Sequence, residues 1–234
     1  MFDSVEYRWS PNARLYRITR RLLAPVVQTY FRLSCVGAHH IPATGGMVLA
    51  CNHLSNLDPV LLAAVCPRQI NYLAKAELFR IPLLGRLIRQ YGAIPLRRTA
   101  SDPEAIRLAE CVLEQHQVLA LFPEGRRSRD GQLQPFRFGA ARLALKYNVP
   151  LIPVAILGTD RAMPSGKKLP RRVQVGIAFG APLATAGFRY DYQGGVPEAA
   201  SLEAVTQLLQ SAVRQLQQNL QAAVNQSDDV AVQP

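Results

Sequence analysis

The sequence predicts an α/β fold, a single domain with a central mixed sheet flanked by helices, preceded by an N-terminal amphipathic helical segment. Two observations carry this. From Met47 onward, short apolar runs rich in Val, Ile and Leu alternate with longer stretches of helical period, the pattern of a sheet with helices on both faces. The chain is 234 residues long and 49% apolar, ample for one sizeable core. No internal repeat or long linker divides it.

The first element is a basic amphipathic helix over residues 14–33. Leu15, Ile18, Leu22, Val26, Tyr30 and Leu33 recur at helical spacing, with Arg14, Arg17, Arg21, Gln28 and Arg32 on another face. Trp9, Tyr16 and Tyr30 suit a membrane interface. The segment either lies in a headgroup layer or packs as an ordinary surface helix, with Pro25 marking a kink or a break. Thr44-Gly45-Gly46 then turns into a buried strand, Met47–Cys51. A helix over Pro59–Val65 follows, then a strand over Ile70–Ala74. A helix over Leu78–Gln90 is interrupted early by Pro82, and Ala93–Leu96 is a third strand. Ser101-Asp102-Pro103-Glu104 is a capping box, and Ile106, Ala109, Val112 and Leu113 give the helix behind it one apolar face. Val118–Phe122 is a strand, Phe138–Tyr147 a helix and Leu151–Leu157 a strand. Val173, Val175, Ile177 and Phe179 alternate as in a half-buried strand. Ala199–Ala223 is a closing helix with one docked stripe. The expected organisation is thus a membrane-associating segment at 1–34, the main domain at 35–223 and a disordered tail at 224–234.

Lys and Arg number 27 against 16 Asp and Glu, a net charge of +11, which invites nucleic acid, an anionic membrane or a phosphorylated substrate. The excess lies in three blocks, +4 over 1–34, +6 over 68–99 and +8 over 120–172. Aromatic residues make up only 7% and no nucleic-acid-binding signature appears, so a basic nucleic-acid-binding module is the weaker class. The four cysteines, Cys35, Cys51, Cys66 and Cys111, form no C-x-x-C pair and read as core thiols of a reducing compartment. No H-E-x-x-H or Cys cluster suggests zinc, so no metal is expected, and no G-x-S-x-G elbow suggests a serine hydrolase. The longest near-apolar N-terminal run, Leu22–Phe31, is too short to span a bilayer and already contains Pro25 and Gln28. The first residues lack a signal-peptide pattern, so neither export nor a transmembrane helix is expected.

Three predicted strand ends deliver polar groups, where open α/β sheets bind ligands. Asn52-His53-Leu54-Ser55-Asn56-Leu57-Asp58 follows the first strand. His53 suits general base catalysis near neutral pH, with Asp58 orienting its ring; a helix-capping pair without chemistry is the other reading. Five residues separate the two, so contact requires a bent turn. Phe122-Pro123-Glu124-Gly125-Arg126-Arg127-Ser128-Arg129 has Gly125 for a tight turn and three arginines for phosphate oxygens, or is a solvated basic turn. Gly92-Ala93-Ile94-Pro95-Leu96-Arg97-Arg98 brings two more arginines to a strand exit.

Over residues 36–185 the sequence resembles the lysophosphatidic-acid acyltransferases, the 1-acylglycerol-3-phosphate O-acyltransferase group of the glycerolipid acyltransferases. Asn52-His53 to Asp58 matches that family's N-H-x-x-x-x-D motif, Gly92 to Arg98 its G-x-I-x-x-x-R block, Phe122 to Arg129 its F-P-E-G-T-R-S-R block, and Val149 to Val154 its V-P-x-x-P-V block. The resemblance implies that His53 and Asp58 are catalytic. It implies that Glu124, Gly125, Arg126 or Arg127, and Arg98 bind the acceptor's glycerol phosphate, with Arg97 and Lys75 as further basic contacts. Arg126 stands where the family has Thr, so alignment favours Arg127 as the family's arginine. The implied reaction moves a fatty acyl group from a thioester donor, acyl-CoA or acyl carrier protein, to lysophosphatidic acid, giving phosphatidic acid for phospholipid biosynthesis. No cofactor is implied, and the expected location is peripheral, on the cytoplasmic face of an anionic membrane. Another lyso-lipid or glycerol-3-phosphate is the alternative acceptor.

Overall fold

The structure is a computed structural model describing residues 11–97, 102–167, 169–185, 190–191, 196–197 and 199–230. Its elements in chain order are α1 (Ala13–Tyr30), β1 (Ser34–Val36), β2 (Met47–Cys51), α2 (Asp58–Val65), β3 (Ile70–Lys75), α3 (Pro82–Gln90), β4 (Ala93–Leu96), α4 (Pro103–Glu114), β5 (Val118–Leu121), α5 (Gly139–Lys146), β6 (Leu151–Leu157), α6 (Thr159–Ala162), β7 (Gly176–Phe179), β8 (Tyr190–Asp191), β9 (Val196–Pro197) and α7 (Ala199–Val230). Single 3₁₀ turns occupy Ala38–His40 and Ala76–Arg80.

Seven strands form one sheet in the order β1-β7-β6-β2-β5-β3-β4, and β8 and β9 pair separately. The run β6-β2-β5-β3-β4 is parallel throughout, β7 runs antiparallel to β6, and β1 is parallel to β7. The sheet is therefore mixed, as expected. Its centre is β2, with Leu49 opposite Ala120 of β5 on one side and Ile152 of β6 on the other. All five residues of β2 are buried, as in a strand covered on both faces.

Alternation along β2 divides the core into two layers. Met47, Leu49 and Cys51 point into one cluster with Leu61, Leu62 and Val65 of α2. Val48 and Ala50 point into the other, with Leu108 and Val112 of α4, Ala140 and Ala144 of α5, and Val205, Leu209 and Val213 of α7. The sheet's helices thus lie on both faces.

Several elements differ from the sequence reading. The N-terminal helix is continuous from Ala13 to Tyr30 with Pro25 inside it; Pro25 and Arg21 are exposed, on the side of the helix where the Arg21 carbonyl, which Pro25 has no N–H to pair with, is open to solvent. The capping residue of α4 is Asp102, whose side chain accepts from the Ala105 N–H, and Ser101 lies outside the described residues. The last helix runs on to Val230, through 224–230 where a disordered tail was expected, because Asn225 to Val230 contain no Gly or Pro to stop it. Strand β1 has no signal of its own: its three residues are all exposed on the sheet edge. Cys51 and Cys66 are buried, whereas Cys35 on that edge is exposed and Cys111 is half-buried, so only two of the four are core thiols.

Candidate active site

The carboxyl ends of β2, β5 and β6, three adjacent parallel strands, open at one edge of the sheet, and each delivers part of the site. As β2 ends, Asn52 is fully buried. Its side-chain amide donates to the Ile156 carbonyl at 2.9 Å and its carbonyl accepts from the Ile156 N–H at 2.7 Å. The side chain thereby imitates one more strand pair with β6 and lets the backbone turn away.

That turn brings His53 onto Asp58. His53 Nδ1 lies 2.7 Å from Asp58 Oδ2, with the His53 side chain 19% exposed and the Asp58 side chain wholly buried. The same Oδ2 accepts from the Leu54 N–H at 2.7 Å and the Ser55 N–H at 2.8 Å. The five-residue spacing works because these two amides fold the loop around the carboxylate. With Nδ1 engaged, Nε2 is the ring nitrogen left to face a substrate. The ring stacks on Phe122, centroids 4.2 Å apart at an interplanar angle of 28°.

The loop after β5 grips the backbone of His53 from both sides. Glu124 Oε1 accepts from the His53 N–H at 2.8 Å, and the Ser128 N–H donates to the His53 carbonyl at 2.7 Å. Glu124 Oε2 accepts from the Gln134 N–H at 3.2 Å. Glu124 was expected among the residues binding the acceptor. Its carboxylate is instead turned inward, 4% exposed, with both oxygens engaged by backbone donors, and burial pushes its pKa up while those donors pull the other way.

Gly125 is exposed with φ +70, a left-handed conformation favouring glycine. A Cβ there would fall 2.9 Å from Arg137 Nε. Arg137 is thus packed over the loop that also carries Arg126, exposed, and Arg127, half-buried. Arg137 is not among the residues singled out from the sequence; the glycine it packs on was the one available signal. Lys75 and Arg97 are exposed at the same sheet edge, but on β3 and after β4, two and three strands from β2. The Arg97 N–H donates to Asp102 Oδ2 at 2.7 Å, which ties its backbone to the α4 cap. Arg98 lies outside the described residues.

Next to the site, an apolar cavity of about 230 Å³ lies between α1, α2 and α3, lined by Tyr16, Leu23, Val60, Tyr72, Leu84 and Leu87 among others. Its lining includes Pro59, the residue after Asp58. Leu23, Val60, Leu84 and Leu87 also stay 36–55% exposed, so its rim is apolar as well. Among the described residues, no group of three His, Cys, Asp or Glu could hold a metal ion, and no helix is long and apolar enough to cross a membrane.

A buried carboxylate bonded to a histidine, set beside an arginine-rich loop at the carboxyl edge of a parallel sheet, brings together the groups needed to move a proton and to hold an anion. A protein-family model described as Acyltransferase matches residues 32–157, which contain this entire arrangement. The chain belongs to the acyltransferase family. It is 27% identical to the 1-acyl-sn-glycerol-3-phosphate acyltransferase of Bacillus subtilis, over 88% of this chain and 98% of that protein. It is 31% identical to the mouse 1-acyl-sn-glycerol-3-phosphate acyltransferase alpha, over 77% of this chain and 65% of the relative. The fold is that of the crystal structure of the 1-acyl-sn-glycerophosphate acyltransferase PlsC from Thermotoga maritima, with a TM-score of 0.70 at 24% identity over 88% of this chain and 83% of that one.

Proposed function

We propose that this acyltransferase moves a fatty acyl group from a thioester to the free hydroxyl of lysophosphatidic acid, giving phosphatidic acid. The observation that carries the chemistry is the 2.7 Å contact between His53 Nδ1 and the buried Asp58 carboxylate. In this reading Nδ1 keeps its proton and His53 Nε2 takes the proton of the acceptor hydroxyl. The alkoxide attacks the thioester carbonyl and the C–S bond breaks. The leaving thiolate recovers the proton from the imidazolium, which Asp58 stabilises meanwhile. No acyl-enzyme is formed.

The acceptor's phosphate is gripped by Arg126, Arg127 and Arg137 around Gly125, through bidentate guanidinium contacts, with Arg97, Arg98 and Lys75 as further basic contacts. The acyl chain enters the apolar cavity behind Pro59. The acyl-glycerol-phosphate acceptor is supported by the names of the Bacillus and mouse relatives.

We infer that the chain works peripherally on an anionic membrane, at its cytoplasmic face. On α1, Ile18, Leu22 and Val26 are 60–66% exposed, and Leu83 on α3 is 83% exposed. Arginines flank both, and α1 carries no acidic residue, a combination suited to an anionic lipid surface.

The test is product analysis by mass spectrometry. Purified protein is given vesicles holding lysophosphatidic acid and other lyso-lipids, with glycerol-3-phosphate in solution and acyl-CoA or acyl carrier protein thioesters as donors. Phosphatidic acid as the main product supports the reading; a different dominant product assigns the acceptor elsewhere.

A further inference from the structure

We propose that Thr159 is a positioning residue for the His53–Asp58 pair, its hydroxyl fixing the carboxylate in the orientation that meets the imidazole. The claim rests on His53 being the base. Thr159 stands two residues beyond the stretch matched by the family model, which ends at residue 157. In chain order it is 101 residues from Asp58, yet its Oγ1 donates to Asp58 Oδ1 at 2.6 Å, and both residues are fully buried.

The geometry assigns the two carboxylate oxygens separate duties. Oδ2 receives His53 Nδ1 and the N–H groups of Leu54 and Ser55. Oδ1 receives Thr159. The torsion that rotates a carboxylate about its Cβ–Cγ bond is soft, and because the group is planar and rigid both oxygens turn together. The Thr159 donor on Oδ1 therefore resists the same rotation that would carry Oδ2 off the ring, from the opposite side of the group.

Thr159 is itself held firmly. Gly158 before it has φ +87, and a Cβ at that position would fall 2.4 Å from the Gln174 carbonyl, so the tight exit from β6 is glycine-dependent. The Thr159 carbonyl accepts from the Met163 N–H at 2.9 Å. The Met163 carbonyl in turn accepts from Ser55 Oγ at 2.9 Å. The α6 turn is therefore tied to the histidine loop at two points, Ser55 and Asp58. Threonine is branched at Cβ, so its χ1 is restricted, and in the rotamer it adopts the buried hydroxyl is directed at Asp58 Oδ1.

The test is a graded donor series, Thr159→Ser, Thr159→Cys and Thr159→Val, assayed with acyl-CoA and lysophosphatidic acid in vesicles. Serine keeps the hydroxyl, cysteine offers a weak S–H donor, and valine offers none. The expected result is a kcat that falls in that order, by about tenfold to a hundredfold for the valine variant, with both KM values within about twofold of wild type and near-complete rescue by serine. In a His53→Ala background the valine change should cause no further loss, since both act through one group. The low-field proton NMR signal of the His53 ring N–H should move in the valine variant and return with serine. Should valine prevent folding, serine against cysteine reads the same order. Wild-type kcat in folded Thr159→Val or Thr159→Cys, equal loss in serine and valine, or a loss confined to KM would each overturn the proposal. The two readings fail separately: inactive His53→Ala with fully active Thr159→Val removes only the role of Thr159, whereas active His53→Ala removes the base and with it this proposal.

Discussion

The carboxylate of Glu124 accepts a hydrogen bond from the backbone N–H of His53 at 2.8 Å, while the His53 carbonyl is bonded by the Ser128 N–H from the same loop. Two strand ends are thereby locked in register at the residue that carries the imidazole. Truncating Glu124 leaves the part-buried N–H groups of His53 and Gln134 without their carboxylate partner, so Glu124→Ala should cost about 1–3 kcal/mol of stability, measured by denaturant unfolding, and should lower kcat more than it raises the acceptor KM. A mainly KM effect would indicate direct contact with the acceptor instead.

Glu124 also gives a pH signature. Burial raises its folded pKa above the ordinary glutamate value, so the folded state binds the proton more tightly than the unfolded chain. Its contribution to stability is then fully present below the unfolded pKa of about 4.3 and declines as pH rises through the folded pKa. Wild type should gain stability relative to Glu124→Gln as pH falls from neutral toward that value. A constant difference between the two across this range would mean that Glu124 does not titrate as its burial requires.

Asn52 opens the motif without touching substrate in this account. Replacing it with Leu removes both bonds to Ile156 and leaves a buried backbone N–H and C=O of β6 without partners. The expected loss is about 2–5 kcal/mol, read as a lower unfolding midpoint.

The arginines around Gly125 should divide by burial. Arg127→Ala, at the half-buried position, is expected to raise the acceptor KM about tenfold or more, and exposed Arg126→Ala by less. Arg137→Ala, exposed like Arg126, should resemble Arg126→Ala. Initial rates at varied lysophosphatidic acid test this; unchanged acceptor KM in all three would remove the phosphate from this loop.

Membrane seating is tested by vesicle sedimentation. Leu22→Glu with Leu83→Glu, two exposed positions whose change leaves the folded core intact, should weaken binding to anionic vesicles. Raised salt should weaken wild-type binding too. Binding equal to wild type would put the lipid contact on another face.

The parts of this molecule that were legible in the sequence are those governed by local pattern. Leu151–Leu157 is a strand with the expected bounds because a continuous Ile- and Val-rich run has one way to be buried on both faces. His53 and Asp58 were legible as a pair, but the bend joining them depends on the Leu54 and Ser55 amides, which no residue type announces. The inward turn of Glu124 and the reach of Thr159 to Asp58 are contacts between separate strand ends, set by the order β6-β2-β5. Strand order is a tertiary property, and β1, exposed along its whole length, lacks even the apolar run that would mark it.

The most direct measurement is thioester consumption by His53→Ala with lysophosphatidic acid in vesicles, alongside wild type and with folding verified by its unfolding midpoint. Loss of the base should lower kcat by about 1,000-fold while leaving vesicle binding unchanged. Turnover at the wild-type rate in a folded His53→Ala would contradict the assignment of His53 as the group that activates the acceptor hydroxyl.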